Sequence, residues 1–313
     1  EACRNAVKGC FDLDRIIRCI TADGALMASA IDSSDTVYTA QSLHGLSATA
    51  SAALGRLLTG ASMMGAMLKQ EHASLTLRVD GGGPLGVLTA ISDSRGNVRG
   101  CVDNPAAEVP KKPNGKLDVG AAVGQDGRLG VIRSYGTGEP YMGQVALVSG
   151  EMAEDLTNYY AVSEQIPTVC ALGVLVDSDT KKVMLAGGLL IQVLPGALPE
   201  DIEKLEANVQ KLEPVTTMLA KGMTVEQMCE KALEGFTVEK LDEMPVHYAC
   251  TCSREKYYAA LATLEPDELE TLPAQDGKVE TVCPYCCRKY YFTTEELHAL
   301  ARQVRARRAE AGR

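Results

Sequence analysis

Ser74-Leu75-Thr76-Leu77-Arg78-Val79-Asp80 runs into Gly81-Gly82-Gly83-Pro84-Leu85-Gly86 and then Val87-Leu88-Thr89-Ala90-Ile91-Ser92. Apolar and polar residues alternate from Ser74 to Asp80, the two-residue period of a half-buried strand. Gly81 to Gly86 satisfies G-x-G-x-x-G, the spacing of a dinucleotide-binding turn. Such a turn must lead from a strand into a helix, because the helix N-terminus holds the phosphates. Here the run Leu85–Ser92 that follows alternates again, and Val98–Val102 repeats the pattern. The stretch therefore reads as an antiparallel meander with Gly-rich turns at 81–83 and 94–96, not as the first βαβ unit of a nucleotide-binding sheet.

Reading outward, Arg15–Ile20 and Ala25–Ile31 are short strands around the turn Ala22-Asp23-Gly24. Residues 43–68 carry Leu54, Leu57, Leu58, Ala61, Met64 and Leu68 at helical spacing, and read as one long helix that Gly55, Gly60 and Gly65 allow to pack closely. Strands follow at Leu129–Arg133 and Gln144–Ser149, a helix at Glu151–Gln165, and a hairpin over Thr168–Val176 and Lys182–Val193. Strands and helices do not alternate regularly, so residues 1–195 are expected to form an α+β domain with an antiparallel sheet. The character changes at Leu194-Pro195-Gly196. Residues 196–245 read as a linker of short amphipathic helices (Ile202, Leu205, Val209, Leu212; Val215–Leu219; Val225, Met228, Leu233). Helices this short are marginal alone. Residues 246–313 form a small C-terminal domain that ends in a helix over 293–308, capped by Thr293 and Glu296.

The chain has 313 residues, of which 46% are apolar, enough to build a core. It has no Trp and only 3 Phe, so Leu, Val, Ile, Ala and Met must fill that core. A formal charge of −10 disfavours nucleic acid as a partner. No apolar run approaches the ~18 residues of a membrane span, and no secretory signal is visible at the N-terminus. Eleven cysteines, an odd number in a long chain, argue against a secreted disulfide framework and for a reducing, cytoplasmic setting. No Walker-type phosphate loop, G-x-S-x-G elbow or H-E-x-x-H pair is present.

Chemistry concentrates in Cys250-Thr251-Cys252, followed after thirty residues by Cys283-Pro284-Tyr285-Cys286. Four thiols in two close pairs suit a tetrahedral Zn²⁺ site with Cys250, Cys252, Cys283 and Cys286 as ligands. Arg254, Lys256, Arg288 and Lys289 flank the pairs and are placed to offset thiolate charge. Such a site can be purely structural. It also carries a redox liability: chain neighbours can pair on oxidation, Cys250 with Cys252 and Cys283 with Cys286, and each pairing removes two ligands. Because metal binding in a small module is also folding energy, oxidation is then expected to unfold the domain. Cys287 and His247 are spare ligand candidates. Cys3, Cys10, Cys19, Cys101, Cys170 and Cys229 are scattered and read as inert thiols. Cys-Pro-Tyr-Cys also matches a glutaredoxin-type active site, but too little chain follows it for a thioredoxin-type fold. Arg302, Arg305, Arg307, Arg308 and Arg313 form a basic tail, either a solvated helix face or a contact for acidic partners.

The chain resembles the bacterial 33-kDa heat-shock protein family of redox-regulated holdase chaperones. The likeness lies in Cys250-Thr251-Cys252-Ser253-Arg254-Glu255 and Val282-Cys283-Pro284-Tyr285-Cys286, in Ala53-Leu54-Gly55-Arg56-Leu57-Leu58 and in Val102-Asp103-Asn104-Pro105. It extends to Gly115-Lys116-Leu117-Asp118-Val119-Gly120, Tyr160-Ala161-Val162-Ser163-Glu164-Gln165 and Ile191-Gln192-Val193-Leu194-Pro195-Gly196. The resemblance implies a non-enzymatic, ATP-independent chaperone that binds one Zn²⁺ through the four cysteines when reduced. It implies that oxidants convert these to two disulfides and expel the metal, that the zinc domain and linker then lose structure, and that the oxidised protein dimerises and holds unfolding clients. Cys287 and the N-terminal cysteines depart from the motif. Two other readings compete: a structural zinc module in a nucleic-acid or protein-binding scaffold, and a thiol oxidoreductase using Cys283 and Cys286.

Overall fold

In the computed structural model of the chain, residues 14–311 are described; Cys3, Cys10 and Arg313 lie outside them. The chain divides into two compact units at the bond between Ala249 and Cys250. The first is α+β and contains two five-stranded antiparallel sheets. One sheet is built from β1 (Arg15–Thr21), β2 (Leu26–Asp32), β8 (Thr168–Val176), β9 (Val183–Val193) and β10 (Val238–Pro245), in the order β10-β1-β2-β9-β8. The other is the meander foreseen around Gly81, extended on one side: β3 (Ser74–Asp80), β4 (Leu88–Asp93), β5 (Val98–Val102), β6 (Arg128–Ser134) and β7 (Tyr141–Ala146), in the order β5-β4-β3-β6-β7.

Helix α2 (Ala48–Gly65) packs against strands of both sheets. It is apolar around nearly its whole circumference, and every residue except Arg56 is buried, as expected of a helix enclosed on all sides. Its glycines stand where neighbours come closest. A Cβ on Gly65 would lie 2.1 Å from Ser92 Oγ and 2.6 Å from the Asp93 carbonyl oxygen. The long helix expected over 43–68 is in fact two. Helix α1 (Ser34–His44) precedes it, and the chain breaks at Gly45, which is left-handed at φ 61°, before Ser47 caps α2 by accepting the Ala50 amide.

The G-x-G-x-x-G turn serves packing. Gly83 lies against the short helix α3 (Val119–Val123), where a Cβ would meet the Val123 carbonyl carbon at 2.4 Å. The Gly83 amide donates to the Val123 carbonyl.

The first sheet is buried on both faces. Ile16, Ile31 and Leu190 face the core around α2, whereas Ile17, Cys19, Leu26, Ala28, Leu189 and Ile191 face the opposite way. That second face is covered by α5 (Pro199–Val209), α6 (Val215–Ala220) and α7 (Val225–Ala232), through Leu205, Val215, Met218, Leu219, Val225 and Met228. Burial on both sides explains why Leu26–Asp32 and Val183–Val193 read as near-continuous apolar runs without alternation. Helices were expected throughout 196–245, but Val238–Pro245 is strand β10, paired with β1 in antiparallel register from Arg15↔Pro245 to Thr21↔Val238. Its charged Glu239, Lys240, Asp242 and Glu243 suit a solvated sheet edge, and Arg18 pairs with Asp242 across the ladder. Helix α4 (Met152–Tyr159) runs on through a π-helical turn at Tyr160–Glu164.

Gly65→Ala is expected to lower the urea midpoint by an amount corresponding to about 2 kcal/mol, because the added methyl has no room beside Ser92 and Asp93. An unchanged midpoint would mean that helix and strand do not approach this closely.

Candidate metal centre

The second unit is built on a hairpin. Strands β11 (Lys278–Val282) and β12 (Lys289–Thr293) pair antiparallel from Lys278↔Thr293 to Val282↔Lys289. Cys283-Pro284-Tyr285-Cys286-Cys287-Arg288 is the turn between them. The Cys283 amide donates to the Arg288 carbonyl, and the Cys287 amide donates to the Cys283 carbonyl. Cys287 closes the turn at φ 57°, a left-handed conformation uncommon for a side-chain-bearing residue. This fold-back leaves Cys283 buried and Cys287 exposed. Cys-Pro-Tyr-Cys therefore stands on a hairpin turn and not at the helix N-terminus that a thioredoxin-type active site uses.

The first pair, Cys250 and Cys252, lies just before helix α8 (Arg254–Leu261). Ser253 caps that helix by accepting the Lys256 amide, and Lys256 Nζ in turn donates to the Thr251 carbonyl at 2.6 Å. The last helix, α10 (Thr294–Ala311), carries the expected capping box: the Thr293 amide donates to Glu296 Oε2, and the Glu296 amide donates to Thr293 Oγ1. Leu261, Leu269, Val279, Phe292, Leu297, Leu300, Ala301 and Val304 form a small separate core.

These elements bring Cys250, Cys252, Cys283 and Cys286 together, with all four sulfurs within 4.8 Å of one another. Cys250 Sγ stands 3.7 Å from Cys283 Sγ, and Cys252 Sγ stands 3.3 Å from Cys286 Sγ. Four sulfurs at about 2.3 Å from one ion would stand about 3.8 Å apart, so the cluster has the dimensions a tetrahedral ion requires. The four can hold a metal ion. Neither Cys287 nor His247 belongs to the cluster, and His247 offers its carbonyl oxygen to the Val98 amide within the first unit.

The thiols are not equivalent. Burial opposes ionisation of Cys283, but hydrogen bonds from the Tyr257 hydroxyl, the Tyr285 and Cys286 amides and the Cys250 thiol bring it down to about 6. Burial raises Cys250, and takes Cys286 up to about 12. Ionisation is thus favoured at Cys283, and a cation at the cluster would oppose the burial that keeps Cys250 and Cys286 protonated.

Of the four flanking cations, Arg288 is the one whose charged form is favoured first by Tyr290 and then by the field of ionised Cys252 and Cys286. The other three have different partners. Arg254 forks onto Glu296 at 2.8 Å and stacks over the Phe292 ring, Lys256 holds Thr251, and Lys289 pairs with Glu280. Two tyrosines that no motif singles out complete the site. The Tyr290 hydroxyl lies 3.1 Å from Cys252 Sγ, and its ring packs 5.0 Å from that of Tyr257. In the basic tail, Arg305 pairs with Asp267 and Glu270, and Arg308 pairs with Glu265, which fastens α10 to α9 (Pro266–Thr271).

A family model described as Hsp33 protein matches residues 14–293. The chain belongs to the Hsp33 family. A 33 kDa chaperonin of Bacillus licheniformis is 41% identical over 93% of this chain and all of its own length. One of Clostridioides difficile is 43% identical over 93% of this chain and 99% of its own. The crystal structure of the 33 kDa chaperonin of Thermotoga maritima superposes with a TM-score of 0.84 at 37% identity, covering 93% of this chain and 99% of that one. The Hsp33 assignment agrees with the α+β reading and with the cysteine cluster. Among the described residues, no helix is long and apolar enough to cross a membrane.

Within this Hsp33 chain, Arg254→Ala is expected to loosen the junction of α8, β12 and α10. Amide exchange at Thr293–Leu297 should rise about five-fold, matching the ~1 kcal/mol of a part-exposed charged hydrogen bond. Unchanged exchange there would show that the guanidinium carries no weight.

Proposed function

We propose that this protein is an ATP-independent holdase chaperone whose activity is set by the redox state of Cys250, Cys252, Cys283 and Cys286. Kinship with 33 kDa chaperonins supports the chaperone role. The single observation that carries the redox part is the cluster of four sulfurs within 4.8 Å, at the base of a unit with only a small apolar core. In the reduced state these four residues would hold one Zn²⁺. Zinc in such a site supplies folding energy, ~10 kcal/mol or more in small modules.

Oxidation acts on the sulfurs. All four are thiolates when zinc is bound, and the thiolate is the form that oxidants attack. Two disulfides, Cys250 with Cys252 and Cys283 with Cys286, leave no thiolate to bind a cation. Residues 246–313 then lose the constraint that folds them. In this reading 1–195 is the chaperone core and 196–245 the redox-sensitive linker. The linker's helices are short, and apolar packing on one sheet face holds them, helped by Arg15 paired to Glu226 of α7 and Glu243 of β10. Strand β10 ends five residues before Cys250, so loosening of the terminal domain frees its end. Release of the linker uncovers Ile17, Leu26, Ala28, Leu189 and Ile191, a flat apolar sheet surface suited to unfolding client proteins and to a second copy of the chain. The protein acts in the cytoplasm, where thiols stay reduced until oxidant stress, and homodimerises when oxidised. It needs no catalytic residue.

Peroxide at raised temperature is expected to release about one zinc per chain as four thiols disappear. Suppression of client aggregation should rise in step with that release. Zinc release without suppression would reject the chaperone switch. Cys286→Ser is expected to lose stoichiometric zinc and to hold clients without oxidant; a variant that stays inactive when reduced would contradict the coupling.

A further inference from the structure

The first sheet ends in an open edge. Strand β8 is outermost in the order β10-β1-β2-β9-β8 and pairs with β9 on one side only. The ladder fixes which of its backbone groups are taken. The Val193 amide donates to the Pro167 carbonyl, so the bonded pairs with β9 alternate from there through Val169↔Ile191, Ala171↔Leu189 and Gly173↔Gly187. The far side of β9 keeps the same parity, because the Leu194 amide donates to the Ala25 carbonyl and the Ser33 amide donates to the Ala186 carbonyl. The amides and carbonyls of Cys170, Leu172 and Val174 therefore point away from the sheet, and no described residue bonds them. The opposite edge, β10, is charged, whereas the nine residues of β8 include no charge and no proline to blunt it.

This edge lies along a groove of about 790 Å³. Cys170 to Val176 form its floor, a length of about 23 Å. Ala48, Ala52 and Arg56 of α2 stand on the core side of the strand, and Pro214, Val215 and Thr216 on the linker side. The groove is biased toward positive charge in a chain of net charge −10. Arg56 and Lys112 are both taken by Glu151, but Lys111, Lys116 and Lys181 line the groove with no ion pair among the described residues. Glu154 and Asp177 stand against them, and the Asp177 carboxylate already accepts from the Thr180 amide and hydroxyl.

We propose that the groove takes an extended segment of an unfolding polypeptide as an added strand beside β8, with acidic residues of that segment meeting Lys111, Lys116 and Lys181. The inference rests on the holdase reading above for the source of the segment. Strand addition bonds backbone to backbone, so it accepts many sequences, as a chaperone must. An unfolding protein supplies such segments, because its strands have lost their own partners. Side chains of the guest alternate between the α2 wall and the linker wall. Thr216 closes over the strand at Gly173, where a Cβ would stand 2.8 Å from Thr216 Cγ2. A short peptide fits the groove with this wall in place, and departure of the linker removes the wall and admits the longer segments of a client.

The probe is the heptapeptide EVTVTVE, blocked at both ends and added to the reduced full-length chain. Saturable binding is expected. Read by NMR, amide exchange should slow at least five-fold at Cys170, Leu172 and Val174, and stay unchanged at Val169, Ala171 and Gly173, which β9 already protects. The same peptide with its five central amides N-methylated should bind at least ten-fold more weakly, and KVTVTVK at least three-fold more weakly. Absence of binding, or equal binding of the methylated peptide, would overturn the added strand. Equal binding of KVTVTVK would overturn the charge match. Protection of Cys170, Leu172 and Val174 that needs no peptide and rises with protein concentration would give the edge to a second copy of the chain and overturn the client segment as its occupant. Peptide and reduced chain suffice for these measurements, so their outcome is separate from whether oxidation releases zinc or switches on client holding.

Discussion

Four sulfurs crowded within 4.8 Å are the constraint on which the proposed folding of the smaller unit depends. A unit of this size, closed around Phe292 and a handful of aliphatic side chains, sits where a single apolar core seldom suffices. The two cysteine pairs come from segments far apart in sequence, one leading into α8 and one capping the β11–β12 hairpin. Joining them fixes the ends of the intervening chain. In the proposed switch the same thiols are the groups oxidants attack, so the element that closes the fold would also be the element most readily undone. Burial raises Cys250 and Cys286, so a cation at the cluster would be what holds them as thiolates.

The larger unit supplies the complementary property. Its first sheet has two apolar faces, and the two are covered differently. One rests on α2, which is buried almost completely and locked by close helix–strand approaches at Gly65 and Gly100. The other is covered by three short helices with polar outer faces, in a chain segment that runs on through β10 to the cysteines. Short helices gain their stability from the surface they cover. In the proposed function a cover of this construction leaves without dismantling the core.

Much of this was legible in the sequence. The meander around Gly81 showed itself through alternation and turn chemistry, and the helices of 199–232 through apolar spacing. The cysteine spacing selected the four clustered residues, and the Thr293–Glu296 box marked the start of the last helix. What stayed hidden depended on tertiary context. Ser34–His44 carries only a weak apolar stripe, since Thr36 and Gln41 are among its buried residues, and the Gly45 break beside α2 merges into a longer helical pattern. Val238–Pro245 carries Val238, Leu241 and Met244 at a three-residue spacing closer to a helical than to a strand period, and it is a strand because it pairs with the edge of β1. The contacts of Tyr257 and Tyr290 have no local signature at all, because residues far apart in the chain make each one.

The most direct measurement is hydrogen exchange of the reduced chain with and without a strong chelator. The account predicts that stripping the metal removes protection across residues 250–311, while β3, β6 and β9 keep theirs. If 250–311 remained as protected without metal as with it, the four sulfurs would not be what holds this unit together, and the redox switch built on them would have no mechanical basis.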